Sequence, residues 1–303
     1  NKKIKADVFV GGSLAKNTLV RKDIYDIDIF VRFDWKYERL SEHLEEILKS
    51  SGVRAERVHG SRDYFKVLAS DKLTFEIIPV KKIKRVGEAD NVTDLSYLHV
   101  KYLVEKLDED KGLGDDILLA KDFAHAQNVY GAESYINGFS GYALECLIIN
   151  YGSFLKMIRE LCKIKDRVLL DPEKHFKNKS EILFSLNESK LQSPIVLVDP
   201  TWKERNVLAA LKKESLEKFQ KEAEKLFPSK KGNFKVCALT GLANLFKKGF
   251  PCKYNFVYWA VWDNWWFKDQ VEFEALETLL DAVVPGGRLI LGFYRPEGKW
   301  KEK

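Results

Sequence analysis

The sequence predicts an α/β head built on a small mixed sheet, a mainly helical middle domain and a small α+β C-terminal domain. Three patterns predict this. Short β-branched runs surround one helical segment up to Val80, apolar residues then recur at helical spacing, and a strand–helix–strand pattern comes last. The predicted boundaries are 1–90, 91–228 and 229–303, and a chain of 303 residues is longer than one average core fills.

The predicted head begins with a strand at Asp7–Val10, a Gly11-Gly12-Ser13 turn, and a helix over 14–19 capped by Ser13. The segment Asp26–Phe33 alternates acidic and apolar residues, as a half-buried strand does. A helix and two paired strands complete the module: Tyr37–Ser50, Tyr64–Ala69 and Thr74–Val80.

Helical spacing dominates the middle of the chain. We expect helices over 95–107, 115–127, 141–161 and 207–226, with one buried strand at Pro194–Asp199. The basic segment 228–232 predicts a linker. Beyond it, a strand, a helix and a strand are expected: Phe256–Val261, Glu272–Val283 and Arg288–Phe293.

Composition narrows the classes of protein without choosing one. There are 51 basic and 45 acidic residues, and the net charge of +6 permits a polyanionic partner without proving one. No apolar run reaches the ~18 residues of a membrane span, and no signal-peptide pattern opens the chain. The four cysteines have no C-x-x-C spacing, which favours reduced thiols in a cytoplasmic protein over a zinc site or disulfides: Cys146, Cys162, Cys237 and Cys252.

The most informative motif is Asp26-Ile27-Asp28. Residues two apart on a strand project from the same face, so the two carboxylates lie side by side while Ile27 enters the core. Like charges this close repel unless a cation lies between them, and Mg²⁺ prefers such hard oxygen ligands. The motif alone is also consistent with an amphipathic strand that has one wet face.

The upstream turn strengthens the metal interpretation. A Gly-Gly-Ser turn between strand and helix lets backbone N–H groups approach a phosphate. Ser13 adds a hydroxyl and Lys16 a positive charge one helical turn later. An ordinary helix cap with a surface lysine is the simpler alternative, but a phosphate-binding turn followed closely by a D-x-D strand is more specific than either part.

Glu76 supplies a third acid. It interrupts the otherwise apolar strand TFEIIPV, where an acid is costly unless it faces a cation or solvent. Beside the Asp26 strand it would complete three carboxylates around one or two Mg²⁺ ions, which could clamp both oxygens of a phosphoryl displacement. An outward-pointing Glu on an edge strand is the alternative.

These motifs, G-G-S-x-x-x-x-T followed by D-I-D-I-F, resemble the nucleotidyltransferase superfamily that includes DNA polymerase β and poly(A) polymerase. Five later segments resemble the archaeal-type, class I CCA-adding enzymes. They are F-E-I-I-P, D-L-S-Y-L-H, L-A-K-D-F-A-H-A-Q-N-V-Y-G-A-E, G-F-S-G-Y-A-L-E-C-L-I-I-N-Y-G-S-F and D-P-T-W-K-E-R-N-V-L. They follow the family order over roughly the first two-thirds of the chain.

The resemblance implies a polymerase-β-like head and residue roles. Asp26, Asp28 and Glu76 would be catalytic and would bind two Mg²⁺ ions, the third acid helping to deprotonate the RNA 3′-hydroxyl. The nucleotide-binding residues would be Gly12, Ser13, Lys16, His99, Lys121, Tyr130 and Arg205. The first three would hold the triphosphate, His99, Lys121 and Tyr130 the sugar and phosphates, and Arg205 the incoming base. The implied substrates are CTP, ATP and the acceptor arm of tRNA, and a homodimer stays open.

Each residue of the helical domain also has a structural alternative. His99 could be a core histidine, Lys121 an exposed helix lysine, Tyr130 a packing residue, and Arg205 a partner of Glu204 or of an acidic neighbour on the surface. The functional interpretation depends on their joint occurrence in order.

Three departures from the family pattern qualify the resemblance. Glu76 stands where Asp is usual, and the last third is short. The chain starts almost on the first strand, without the helix that usually precedes the turn, so either the N-terminus is cropped or the helix comes from elsewhere. A related oligoadenylate or poly(A)-type synthase, or a non-catalytic RNA-binding relative, are the alternatives.

Overall fold

The computed structural model describes residues 4–20, 24–226, 254–261 and 283–293, and the chain divides into two compact units, 1–221 and 222–303. In the described residues the α-helices, α1 to α8, are Gly12–Ala15, Leu40–Ser50, Ser96–Glu109, Leu113–Ala126, Gly141–Tyr151, Phe154–Cys162, Lys179–Ser185 and Lys213–Lys225. The strands, β1 to β10, are Ala6–Val10, Tyr25–Phe33, Glu56–Val58, Tyr64–Ser70, Leu73–Lys81, Val168–Leu170, Ile195–Asp199, Trp202–Asn206, Tyr254–Val261 and Val283–Phe293. Short 3₁₀ turns occupy Val86–Glu88, Val92–Leu95 and Glu188–Leu191.

The head of the first unit is a five-stranded mixed sheet in the order β1-β2-β5-β4-β3. Strands β2 and β5 are parallel, and the other neighbours are antiparallel. The mixed sheet is therefore as predicted, and β5 is an inner strand. This placement makes the edge-strand alternative for Glu76 wrong.

One face of this sheet packs on α2. Alternate residues of β2 and β4 point to that face and form a core with the apolar side of the helix: Val31, Phe33, Phe65, Leu40, Leu44 and Leu48. Period-two alternation on a strand sends the intervening residues to the opposite face. The core thus determines that the acidic side chains of β2 lie on the face away from α2.

The middle of the chain is helical around a small sheet. Strand β7 lies between β6 and β8 in a three-stranded sheet, and all five of its residues are buried. Among the helices, Phe219 of α8 contacts Phe123 of α4 and Phe139, with ring centroids 4.9 and 5.1 Å apart. The predicted buried strand at Pro194–Asp199 is confirmed to within one residue.

Three predicted helices differ from those observed. The first covers Gly12–Ala15 with Gly11 as its N-cap and no side-chain cap, so Ser13 does not cap it. The expected helix over 141–161 breaks at Gly152, where φ is 78°, and Ser153 caps a new helix. The expected helix over 207–226 begins only at Lys213, because the Val207 N–H instead donates to the Leu197 carbonyl and extends the small sheet.

In the second unit, β9 and β10 pair in parallel, which confirms the two predicted strands near the C-terminus. The basic linker, Cys237 and Cys252 lie outside the described residues, as does the predicted helix up to 282. Its last predicted residue, Val283, instead begins β10. Neither Cys146 nor Cys162 is joined in a disulfide. Within the described part of the chain, no helix has the length and apolar character that crossing a membrane requires.

Asp122 on α4 leads to a prediction about stability. Burial raises the pKa of its carboxyl to about 7, against a small opposing effect of Lys121. Between about pH 4 and 7 the folded chain therefore keeps a proton that the unfolded chain releases, so the free energy of unfolding falls as pH rises through this window. The Asp122→Asn variant should lose this dependence and gain at most about 4 kcal/mol over wild type at pH 8.

Urea unfolding at pH 5 and pH 8 measures the effect. Asp108→Asn on α3, whose side chain is 67% exposed, is the matched control and should unfold like wild type. An Asp122→Asn variant with the same pH dependence as wild type would contradict the assignment.

Candidate active site

The three acids predicted to bind metal lie on one face of the head sheet. The parallel register sets Asp28 of β2 directly opposite Glu76 of β5, and Asp26 opposite Thr74. Residues in register share a face, and Asp26 shares it because it is two positions from Asp28. The pairing of β2 with β5 therefore brings two sequence-distant carboxylates side by side.

Glu76 contacts a cation from the neighbouring strand. Lys66 of β4 pairs with it in register, and their Nζ and Oε1 atoms are 3.0 Å apart. Burial raises the pKa of the adjacent Tyr64, and the charges of Glu76, Asp26 and Asp28 raise it further, so all three acids act on this hydroxyl. The acids share one electrostatic environment.

The donor set fits Mg²⁺ chemically, since three carboxylates on one face are the hard oxygen ligands that this ion takes. As the side chains stand, no three potential ligands are gathered closely enough for a metal site in the part of the chain that the structure describes. The Glu76 carboxylate contacts Lys66 instead. An ion held by all three acids would compete with Lys66 for the Glu76 carboxylate.

The Gly-Gly-Ser turn lies against these acids. Gly12 has φ of +58°, and a Cβ built on it would come within 1.7 Å of the Asp28 Oδ2 atom. The Gly11 N–H donates to the Asp28 carbonyl at 2.9 Å. A side chain at position 12 would strain the backbone and force the turn or the Asp28 carboxylate to move, so glycine permits this close approach of the turn to Asp28.

Lys16 and Lys121, predicted to hold phosphates, converge on one acid. Their Nζ atoms lie 2.6 and 2.7 Å from the two carboxylate oxygens of Glu145 on α5. Lys121 also donates to the Thr18 hydroxyl and carbonyl, both at 2.9 Å. Lys121 is 1% exposed, which rules out its alternative as an exposed helix lysine.

His99 and Arg205 converge on a second acid, Asp199 at the end of β7. The His99 Nε2 and Arg205 Nη1 atoms lie 3.3 and 2.5 Å from Asp199 Oδ2, while Tyr142 donates to Oδ1 at 3.1 Å. The Tyr142 ring stacks on His99 at 4.1 Å. Arg205 therefore pairs with a buried acid rather than with Glu204.

Burial and neighbouring charges shift the pKa values of His99 and Asp199 in this second cluster. Burial lowers the pKa of His99, against the opposing effect of Asp199. Burial alone would raise the pKa of Asp199, but His99 and Arg205 outweigh it and hold the pKa of that carboxyl well below its usual range. Asp199 is therefore ionised near neutral pH and contacts two of the predicted nucleotide-binding residues, His99 and Arg205.

Tyr130 lies between the head and α5. A Cβ on Gly141 at the start of α5 would come within 2.6 Å of the Tyr130 hydroxyl. Burial raises the pKa of Tyr130, with further contributions from Glu145, Glu133 and Asp28. Its ring stacks on His125 at 3.7 Å. Tyr130 stays a neutral hydroxyl donor near both the Glu145 cluster and Asp28.

Sequence reasoning missed Glu145, Asp199 and Tyr142. A usable signal was present, because Glu145 interrupts the apolar run ALECLII and Asp199 ends the buried strand IVLVD. The cost of burying an isolated acid, which singled out Glu76, applies equally to these two. The same burial cost predicts a positively charged partner close to Glu145 and another close to Asp199.

Comparison with known proteins agrees with this architecture. Residues 1–120 match the nucleotidyltransferase domain, and residues 115–235 match the second domain of tRNA nucleotidyltransferases. Solved structures of a cytoplasmic RNA terminal U-transferase and of the Cid1 poly(U) polymerase superpose with TM-scores of 0.56 and 0.57 at 15% and 14% identity. Each covers 75% of this chain, and the match spans 82% and 83% of those chains. These neighbours confirm the polymerase-β-like fold.

Relatives found by sequence have a higher identity to this chain than these solved structures have. The CCA-adding enzyme of Nanoarchaeum equitans is 43% identical over 207 residues, 68% of this chain and 51% of that protein. The CCA-adding enzyme of Halorubrum lacusprofundi is 34% identical over 227 residues, 74% of this chain and 46% of that protein. The chain thus spans about half the length of the curated relatives it matches. With its two domain matches in family order, the chain belongs to the archaeal-type tRNA nucleotidyltransferases of the polymerase-β-like superfamily.

Proposed function

We propose that this chain adds C, C and A to the 3′ end of tRNA without a nucleic-acid template, using CTP and ATP and releasing pyrophosphate. The observation that carries the proposal is the register of β2 and β5, which sets Asp28 beside Glu76 under the Gly12 turn. The relatives named CCA-adding enzyme support the choice of substrate.

Asp26, Asp28 and Glu76 would hold two Mg²⁺ ions. The ions would supply charge neutralisation at the reacting phosphate. Glu76, released from Lys66, would help take the proton of the RNA 3′-hydroxyl while the oxygen of that hydroxyl attacks the α-phosphate. The new bond joins that oxygen to phosphorus, and the bond to pyrophosphate breaks. Positioning of the two substrates supplies most of the remaining rate enhancement.

The other residues would bind and orient the nucleotide. The backbone of Gly12 and the hydroxyl of Ser13 would face the triphosphate, with Lys16 and Lys121 adding positive charge. His99 and Tyr130 would contact sugar and phosphate. Arg205, whose guanidinium Asp199 already orients, would offer its remaining donors to the edge of the base. Binding of the tRNA acceptor arm would depend on shape and phosphate contacts.

Incubation with tRNA that ends at the discriminator base tests the proposal. With Mg²⁺, CTP alone should extend the RNA by two residues, CTP with ATP by three, and UTP or GTP by none, as read on a sequencing gel. Long adenylate tails would instead indicate a poly(A)-type synthase. Salt-sensitive tRNA binding with no extension under any condition would indicate a non-catalytic RNA-binding relative.

A further inference from the structure

Glu145 makes three contacts from a completely buried position. Its Oε2 accepts from Lys16 Nζ at 2.6 Å, and its Oε1 accepts from Lys121 Nζ at 2.7 Å and from the Thr18 hydroxyl at 2.9 Å. The carboxylate is 0% exposed. Lys16 and Thr18 belong to the head, whereas Lys121 and Glu145 lie on α4 and α5. One side chain therefore joins the head to the helical domain.

The contacts continue from Glu145 to the candidate active site. The Thr18 N–H donates to the Ser13 carbonyl at 2.9 Å, which ties Thr18 to the Gly-Gly-Ser turn. Gly12 of that turn leaves no room for a Cβ beside Asp28. A displacement of Thr18 or Lys16 would consequently move the backbone that faces Asp28.

The charges of the cluster depend on this one acid. Two ammonium groups share a single carboxylate, so the cluster keeps one net positive charge. Removal of the carboxylate charge would leave two buried like charges close together, which would repel each other or lose a proton. Repulsion would displace the two ammonium groups, whereas loss of one proton would restore the single net positive charge. In both cases the loss lies in the positions of Lys16, Lys121 and the turn, not in the net charge that attracts a triphosphate.

We propose that Glu145 is a positioning residue for nucleotide binding, which holds Lys16, Lys121 and the Gly-Gly-Ser turn in the geometry that receives the triphosphate. The inference rests on the proposed nucleotidyl transfer for its kinetic consequence. The role of Glu145 in binding is separate from this consequence, because the cluster would shape the triphosphate-binding site even without turnover.

Glu145→Gln keeps the size of the side chain and removes its charge. In the presence of Mg²⁺, we expect CTP to bind at least about tenfold more weakly. We expect kcat/KM for CTP to fall about 100-fold, because displacing a group that positions the substrate by about 1 Å costs a rate factor of this size. The KM for tRNA should not change. Glu160→Gln, which removes an equivalent charge from a 46% exposed side chain on α6, is the matched control and should behave like wild type.

Thr18→Val provides a second variant in case the first fails to fold. It removes the hydroxyl between Glu145 and Lys121 and keeps the backbone carbonyl that Lys121 contacts. We expect about a tenfold fall in kcat/KM for CTP, with urea unfolding serving as the measure of folding. A folded Glu145→Gln protein with wild-type CTP binding overturns the proposal. If that variant does not fold, wild-type values for Thr18→Val overturn it.

Direct CTP binding separates this inference from the proposed function. If the wild-type chain binds CTP but transfers nothing to tRNA, the proposed function fails, and the binding comparison still decides the role of Glu145. If the wild-type chain does not bind CTP with Mg²⁺, both are overturned.

Discussion

The Asp28→Ala variant is expected to lose nucleotide incorporation and to keep tRNA binding. Asp28 lies opposite Glu76 in the β2–β5 register and against the Gly12 turn, so it is the acid closest to both parts of the proposed site. Its removal takes away a ligand and a negative charge where two metal ions would neutralise the phosphate. We expect incorporation to fall on the order of 1,000-fold or more.

Gel assays of extension and filter binding of tRNA at several salt concentrations measure the two properties. Proteins bind nucleic acids largely through the phosphates, so loss of one acid should not weaken tRNA binding. Asp71→Ala, in the exposed turn between β4 and β5, is the matched control and should incorporate nucleotides normally. Near wild-type incorporation by Asp28→Ala would remove the metal assignment.

The Gly12→Ala variant should have the second-largest effect. The positive φ of +58° costs an alanine about 1–2 kcal/mol, and the new Cβ would lie 1.7 Å from Asp28 Oδ2, so the turn or the carboxylate must move. Displacement of a reacting group by about 1 Å costs on the order of 100-fold in rate. We therefore expect both lower stability and a fall in kcat of that size.

Gly52→Ala is a close control because Gly52 has φ of +72°, and a Cβ built on it would meet no atom of the described residues within 4 Å. It should share the backbone cost, measured by urea unfolding, and leave incorporation unchanged. The double variant Gly12→Ala with Asp28→Ala should recover the stability lost to the clash. If Gly12→Ala and Gly52→Ala lose equal stability and both stay active, the close approach of the turn to Asp28 is not important for function.

Much of the head could be predicted because its pattern is local. Alternation at Asp26–Phe33 placed two acids on one face, and β2 spans Tyr25–Phe33 with Val31 and Phe33 in the α2 core. Helix ends were predicted less well. The break at Gly152 depends on a left-handed residue inside an apolar run whose helical spacing continues past it.

The sequence by itself determined the strand that carries Asp26 and Asp28, the glycine turn before it, and the family to which the chain belongs, because these depend on neighbouring residues and their order. Only the tertiary structure decided that Glu76 lies beside Asp28, and that Glu145 and Asp199 each gather two of the predicted nucleotide-binding side chains. The physical reason is that a buried charge needs an opposite charge nearby, and folding brings that partner from a distant part of the chain.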